Sequence, residues 1–144
     1  QRRRFEKEIK DAFEFGSFNF AKESLAILDN LQRAKLAIQN DEVLKNNKDL
    51  DKFLENITVI EKDLVSIFEK NRIKKIDTKN HKFNPNLHQA MSEIEDEKAE
   101  TGAILQEIQP GYMLGERLLR PALVAVAKKK SSKNEEKDKK KEEN

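Results

Sequence analysis

The feature that most constrains this chain is a proline-free stretch of 71 residues whose apolar side chains recur at helical spacing. Its first part carries a narrow stripe of Phe5, Ile9 and Ala12–Phe13, which one neighbouring helix can cover. Beyond Gly16 the apolar face widens, so more than one helix must pack against it. The widened face comprises Phe18, Ala21, Leu25 and Leu28, and beside them Ile27, Leu31, Ala34 and Ile38. A helix of about 57 Å, at 1.5 Å per residue, is unstable alone, and self-association is the simplest remedy.

A polar break at residues 40–47, rich in Asn and Asp, separates this helix from a second one. The second segment follows a heptad pattern of Leu50, Phe53, Ile57, Ile60, Leu64 and Ile67, flanked by Leu54 and Phe68. We predict helices over about residues 2–39 and 48–70, within a helical dimerisation region of residues 1–71. The expected dimer contacts are Ile9, Leu25, Leu28, Leu31, Leu50, Phe53, Ile57, Ile60 and Leu64.

The composition changes at about Arg72, because all three prolines and three of the four glycines lie between residues 72 and 127. Short β-prone runs, of which Leu123–Ala127 is the most apolar, alternate with the turn signals Pro110-Gly111 and Gly115. This pattern predicts a small, mostly antiparallel β domain over residues 72–127. The expected fold class is therefore α+β, with a helical coiled coil or bundle followed by a small antiparallel β domain.

The net charge of +2 is unevenly distributed along the chain. Residues 128–144 contain eight lysines and five acidic residues, so the rest of the chain is slightly negative. Lysines and acidic residues are mixed in this segment, and it has no aromatic side chain on which a base could stack, so it does not look like a nucleic-acid-binding segment. We expect it to be a disordered, solubilising tail. Charged residues make up 39% of the chain and hydrophobic residues 36%, which fits exposed helices better than one large core.

Catalytic and metal-binding chemistry is sparsely represented in this sequence. There is no cysteine, so a disulfide, a thiolate nucleophile and a cysteine-bound zinc are excluded. The two histidines, His81 and His88, would need carboxylates from the acidic run of residues 93–100 to hold a metal, and a structural role is commoner for such residues. No glycine-rich phosphate loop or G-x-S-x-G turn is present. We therefore expect no enzymatic activity, no cofactor and no metal.

The ends and the hydropathy of the chain give two further expectations. No apolar run approaches the roughly 20 residues that a membrane span requires. The chain starts at Gln1 with neither an initiator Met nor the apolar stretch of a signal peptide, so we expect a fragment or a processed product.

Two segments of the β-prone region resemble the signature of a known family. They are Phe83-Asn-Pro-Asn-Leu-His-Gln-Ala-Met91, and the stretch from Gly111 to Lys128 with its Gly-Tyr, Arg-Pro-Ala and Val-Ala-Val-Ala-Lys runs. They are similar to the GrpE family, the nucleotide exchange factors of DnaK-type heat-shock chaperones. Arg2-Arg3-Arg4 and the run Leu28–Ala34 also look like that family's helical segment, so the resemblance covers about Arg2 to Lys128.

The resemblance implies a parallel homodimer in which a long paired helix leads into a four-helix bundle, and each protomer then carries a compact β domain. It implies a stress-response co-chaperone that binds the ATPase domain of a DnaK-type chaperone, opens its nucleotide cleft and promotes ADP release, without catalytic residues. The implied location is the bacterial cytoplasm, with the mitochondrial matrix as the alternative. Nucleic acid and membrane are not expected as partners.

The resemblance also implies which residues contact the chaperone. Arg117 matches a signature arginine whose forked guanidinium suits a carboxylate on the partner, and an internal ion pair is the alternative. Val126 matches an apolar contact position on the last strand, although core packing would explain it equally well. The other matching positions are Ile108, Phe83, Pro85, Arg2 and Arg3.

The chain departs from the family's pattern at two positions. Arg72 stands where the family usually has a glycine before the first β strand. If that position requires a positive φ, either Arg72 is strained or Asn71 takes the turn. The second departure is Thr101, which stands where proline is common.

Two other functions stay open from the sequence. The first is a coiled-coil scaffold whose β domain binds a different protein and has no exchange activity. The second is a nucleic-acid-associated protein that uses the lysine-rich tail. The signature around Arg117 favours the exchange factor over the scaffold, and the mixed charge of the tail counts against nucleic-acid binding.

Overall fold

A computed structural model describes residues 1–129, and these residues form two compact units. The first unit comprises residues 1–74 and 113–119. The second comprises residues 75–112 and, among the described residues, 120–129. The predicted disordered tail lies outside the described residues from position 130 onward.

Two helices make up most of the first unit. Helix α1 spans Arg2–Gln39 and helix α2 spans Leu50–Lys70, with a 3₁₀ turn over Leu44–Asn46 between them. The Asp41 carboxylate starts the connection, since its Oδ1 accepts backbone N–H groups two and three residues further along, both at 2.9 Å. The predicted order of two helices followed by a β region, in an α+β fold, is confirmed.

The two helices pack together through only part of their apolar surface. Polar contacts join them at Glu61, whose carboxylate lies 3.5 Å from Lys35 Nζ and accepts a hydrogen bond from Gln32 at 3.2 Å. The buried side chains are Ala21, Leu25 and Leu28 on α1, and Leu54 and Phe68 on α2. On α2 these are the residues that flank the heptad, so the heptad positions themselves are left partly or largely exposed.

Six strands follow the helices along the described chain. They are β1 (Ile73–Lys75), β2 (His88–Glu95), β3 (Ile104–Gln109), β4 (Tyr112–Leu114), β5 (Arg117–Arg120) and β6 (Ala122–Lys128). A three-stranded sheet in the order β1-β4-β5 belongs mainly to the first unit. Gly115 begins the two-residue connection between β4 and β5 and adopts a φ of 59°, which a glycine can do without the penalty of a Cβ.

The core of the second unit is a three-stranded sheet in the order β2-β6-β3, with β6 at its centre. Strand β3 runs antiparallel to β6, whereas β2 runs parallel to it, which the long connection between β2 and β6 permits. The predicted mostly antiparallel β region thus contains one parallel pair. Its core consists of Ala122, Val124 and Val126 from β6, against which Phe83 and Ile104 pack.

The division into compact units differs from the boundary that the sequence suggested at residue 72. Residues 113–119, which include the β4–β5 connection, belong to the same unit as the two helices. Turn signals and strand spacing assigned these residues to the predicted β domain. Such local signals carry no information on long-range packing, so they do not show which residues pack with the helices. The division into residues 1–71, 72–127 and 128–144 stays a prediction.

Candidate functional site

Arg117 is the first residue of β5 and its side chain is exposed. Its guanidinium carbon lies 5.7 Å from the ring centroid of Phe15 on α1, at the distance of a cation–π contact. Phe15 is itself 71% exposed, so this contact orients the arginine without burying it. The internal ion pair considered as an alternative for Arg117 is not found within residues 1–129. The guanidinium can therefore donate to a carboxylate from outside the chain.

The backbone beside this arginine is anchored by Arg72. Arg72 has a φ of 65°, whereas the preceding Asn71 has a φ of −95°. Arg72, and not Asn71, therefore adopts the strained left-handed conformation at this turn. Its Nη1 lies 2.5 Å from Glu14 Oε1 on α1, and its carbonyl accepts the N–H of Gly115 at 2.9 Å. A Cβ on Gly115 would lie 2.7 Å from Arg72 Nη2, which shows how closely the guanidinium approaches this glycine.

In the second unit, the predicted contact residues Phe83 and Pro85 belong to a turn fixed by hydrogen bonds. The N–H of Asn84 donates to Nδ1 of His88 at 2.9 Å, and the N–H of His88 donates to the carbonyl of Asn84 at 2.8 Å. Asn84 Oδ1 also accepts the N–H of Asn86 at 3.0 Å. Pro85 is exposed at the apex, while Phe83 is half-buried against the core. The turn therefore presents Pro85 outward on a rigid base.

His88 is a buried histidine in this turn, only 5% exposed. Because Nδ1 accepts a hydrogen bond, the proton of the neutral ring is on Nε2, which has no hydrogen-bond partner among the described residues. Burial lowers the pKa of His88, the charge of His81 lowers it further, and Glu107 opposes both. The neutral form is therefore the one that this turn accommodates.

The two remaining apolar candidates in the second unit differ in exposure. Ile108 on β3 is 51% exposed and offers apolar surface to a partner. Val126 on β6 is 8% exposed and packs in the core opposite Ile104 in the strand register. Val126 therefore presents little surface of its own, and its main contribution is to the core beneath the sheet.

The basic residues at the start of α1 are exposed. Arg2 lies 3.8 Å from Glu6 in an exposed pair, and Arg3 is also exposed. An exposed pair of this kind holds a side chain only weakly, so Arg2 can exchange Glu6 for another carboxylate.

The residues predicted to form a dimer contact fall into two groups. Leu25 and Leu28 are 0% and 1% exposed within the single chain, so they belong to the protomer's own core rather than to an available surface. The helical period alone could not separate the two adjacent stripes of α1. Ile9, Phe53 and Ile60 are more than half exposed, and Leu31, Leu50, Ile57 and Leu64 are half-buried.

An apolar groove of about 620 Å³ runs between α1 and α2 on the surface left open by this packing. Its lining is Ile27, Asn30, Leu31, Ala34, Ile60, Asp63, Leu64 and Ile67. Ile27, Ile60 and Ile67 are each more than half exposed in the single chain. Leaving this much apolar surface in water is costly, and a covering helix pair would remove the cost.

The described residues hold no group of three or more His, Asp or Glu side chains that could bind a metal. Across residues 1–129, no helix combines the length and the apolar character needed to cross a membrane. The chemistry that this part of the chain offers is that of contact surfaces, with an oriented arginine, a rigid turn and an apolar groove.

Comparison with known proteins identifies the family. The family model described as GrpE matches residues 1–128. The chain belongs to the GrpE family. Over 127 residues it is 44% identical to Protein GrpE of Nitrobacter winogradskyi and 42% identical to Protein GrpE of Afipia carboxidovorans, covering 88% of this chain and 64% of each relative. Protein GrpE of Zymomonas mobilis is 42% identical over 130 residues, which is 90% of this chain and 67% of that protein.

In this GrpE-family chain, the resemblance named Arg117 as a candidate contact, which stays a prediction, but did not name the residues that lie near it. Phe15 lies outside the predicted stripe of α1, and an exposed aromatic residue beside such a stripe was the available signal. Arg72 was noticed as a departure, but nothing in the sequence pointed to Glu14, 58 positions away, as its partner. The Asn84–His88 hydrogen bond was also missed, because a single histidine carries no spacing pattern.

Proposed function

We propose that this GrpE-family protein is a nucleotide exchange factor for a DnaK-type chaperone. The observation that carries the proposal is the family match over residues 1–128, which covers both compact units and includes the exposed Arg117. The chain spans about 64% of the length of the first relatives it matches, so the proposal concerns the part of the protein described by residues 1–128.

The proposed mechanism is differential binding rather than catalysis. The protein binds the ATPase domain of the chaperone more tightly when the nucleotide cleft is open than when it is closed. The contact energy therefore stabilises the open conformer, and ADP leaves from it. Since ATP favours closure, ATP binding releases the exchange factor. In this mechanism no covalent bond is made or broken.

Arg117 is the residue that we expect to contribute most to chaperone binding. An exposed guanidinium held over an aromatic ring loses little side-chain entropy on binding and can form two parallel hydrogen bonds with a carboxylate. In the second unit, Ile108 and Pro85 offer exposed apolar surface, while Phe83 and Val126 pack in the core. Arg2 and Arg3 supply further exposed positive charge on α1.

We also propose that the protein acts as a homodimer in the bacterial cytoplasm. The open apolar groove between α1 and α2 is the surface that a second copy would cover, with its own α1 and α2 completing a four-helix bundle. Of the predicted contacts, Leu31, Ile60 and Leu64 line the groove, while Ile9, Leu50, Phe53 and Ile57 keep exposed or half-buried surface elsewhere on the two helices.

Direct binding tests the proposal. The chain is titrated into the isolated ATPase domain of a DnaK-type chaperone by calorimetry, without nucleotide, with ADP and with ATP. We expect the tightest binding without nucleotide and the weakest with ATP. Arg117→Glu should weaken the nucleotide-free complex about a hundredfold, because it places like charge against a carboxylate. Equal binding in all three nucleotide states would instead support a scaffold without exchange activity.

A further inference from the structure

Arg72 is one of two non-glycine residues with a positive φ among residues 1–129, the other being Asn80. A long side chain in the left-handed region costs roughly 1–2 kcal/mol relative to the usual backbone conformation. Such a conformation persists only where surrounding contacts determine it. For Arg72 those contacts run from Glu14 on α1 to the β4–β5 turn, which leads to Arg117.

The contacts form a closed loop that begins and ends on adjacent residues of α1. The Glu14 carboxylate holds the Arg72 guanidinium, and the Arg72 carbonyl accepts the N–H of Gly115. The guanidinium also lies beside Gly115, since a Cβ there would be 2.7 Å from Arg72 Nη2 and would require the guanidinium to shift. Gly115 is two residues from Arg117, whose guanidinium lies over Phe15, the neighbour of Glu14.

We propose that Arg72 is a positioning residue for Arg117. Its ion pair with Glu14 holds the β4–β5 turn at α1 and so keeps the Arg117 guanidinium over Phe15, in the orientation that binds the chaperone. The inference rests on the proposed function, because it explains how the arginine assigned to chaperone contact is presented.

The exposure of the pair favours a geometric role over a purely stabilising one. The Arg72 side chain is 54% exposed and that of Glu14 is 22% exposed. Ion pairs this accessible contribute little to the free energy of unfolding, on the order of 1 kcal/mol or less. The Arg72–Glu14 pair therefore adds little to the stability of the folded protein. By holding Arg117 in place, however, it reduces the side-chain entropy that Arg117 loses when a partner carboxylate binds.

A double-mutant cycle tests the proposal with the full chain and the nucleotide-free ATPase domain. Glu14→Gln removes the ion pair, and Arg117→Ala removes the proposed contact. We expect Glu14→Gln alone to weaken binding about threefold to fivefold, and to have less than about a 1.5-fold effect in the Arg117→Ala background. Glu61→Gln is the matched control, since Glu61 is also 22% exposed and also pairs across elements, with Lys35. It should leave the affinity within about twofold.

Two substitutions at Arg72 separate positioning from stability. Arg72→Gly relieves the backbone strain, so the unfolding midpoint should stay level or rise while the affinity falls about threefold to fivefold. Arg72→Lys keeps a cation for Glu14 and should restore the affinity to within about twofold of the unchanged chain. A fall in midpoint that tracks the fall in affinity would mean that Arg72 is merely structural.

The outcomes distinguish this inference from the proposed function. If Glu14→Gln weakens binding equally with and without Arg117, the positioning role is wrong, although Arg117 still contacts the chaperone. If Arg117→Ala binds as tightly as the unchanged chain, the positioning role also fails. The exchange function then depends only on whether the unchanged chain binds with the expected nucleotide preference.

Discussion

The central strand of the second unit and the heptad of α2 are both apolar, but the single chain buries them very differently. Along β6, Ala122, Val124 and Ala125 are 0%, 0% and 1% exposed. On α2, Phe53 and Ile60 are 53% and 57% exposed although they occupy regular heptad positions. The β core is therefore complete within one chain, whereas the apolar face of the helices is not.

This difference bears on the proposed dimer. Stability that comes from the β6 core is independent of protein concentration, because all of its contacts lie within one chain. Stability that comes from the open groove between α1 and α2 would appear only when a second copy covers it. Dilution should therefore weaken the contribution of the groove and leave that of the β6 core unchanged.

The largest expected effect comes from placing a charge in the groove. Ile60→Asp should weaken the proposed dimer at least about a hundredfold, or about 3 kcal/mol, because two-fold symmetry buries two unpaired carboxylates. Light scattering at micromolar concentration should show a mass near 16.8 kDa for this variant and twice that for the unchanged chain.

Val59→Asp is the matched control for this variant. Val59 is also 57% exposed, but it does not line the groove. Its mass should equal that of the unchanged dimer. A dimer of Ile60→Asp with undiminished stability would show that the groove is not the dimer surface.

A smaller effect is expected in the β core. Val124→Ala should destabilise the second unit by about 2 kcal/mol, since Val124 is fully buried and its loss leaves a cavity. Leu105→Ala, at a 37% exposed position on β3, should cost less than about 0.5 kcal/mol. Urea denaturation at two protein concentrations would check that the Val124→Ala loss is the same at both.

The smallest expected effect concerns pH and His88. The pKa of His88 is lowered by burial, so between that pKa and about 6.5 the unfolded chain binds a proton that the folded chain does not. The stability contributed by neutral His88 is therefore fully present above about pH 6.5 and is lost as the pH falls below it. Unfolding midpoints measured from pH 7.5 to 5 should decline less in His88→Gln than in the unchanged chain.

His81→Gln provides the control for that series. His81 is exposed, and its charge is one of the groups that lower the pKa of His88. The variant should retain most of the decline. An equal pH dependence in His88→Gln would assign the effect to groups other than His88.

Much of the fold could be predicted because it is encoded locally. Helical periodicity over the first 71 residues and the cluster of prolines and glycines after it carried the α+β prediction. The parallel pairing of β2 with β6 could not be predicted, because register between distant strands depends on tertiary packing. That Leu25 and Leu28 are buried within a single chain could not be predicted for a similar reason, since two adjacent stripes look alike until the partner helix is placed.

The candidate site was predictable to a different degree. The resemblance supplied Arg117 as a single position, but Phe15, which contacts it, and Glu14, which pairs with Arg72, lie about a hundred residues earlier in the chain than Arg117. The unusual Arg72 was visible as a departure from the family, whereas its φ and its pairing with Glu14 are seen only in the structure. Sequence thus identified the exposed residue, while the structure identified its supports.

The release of ADP from the chaperone tests the central claim most directly. A DnaK-type chaperone loaded with fluorescent ADP is mixed with excess unlabelled nucleotide, with and without the chain at micromolar concentration. We predict that the chain accelerates release at least about tenfold, because it stabilises the open cleft. Release at an unchanged rate, with binding intact, would contradict the exchange function and leave a scaffold role in its place.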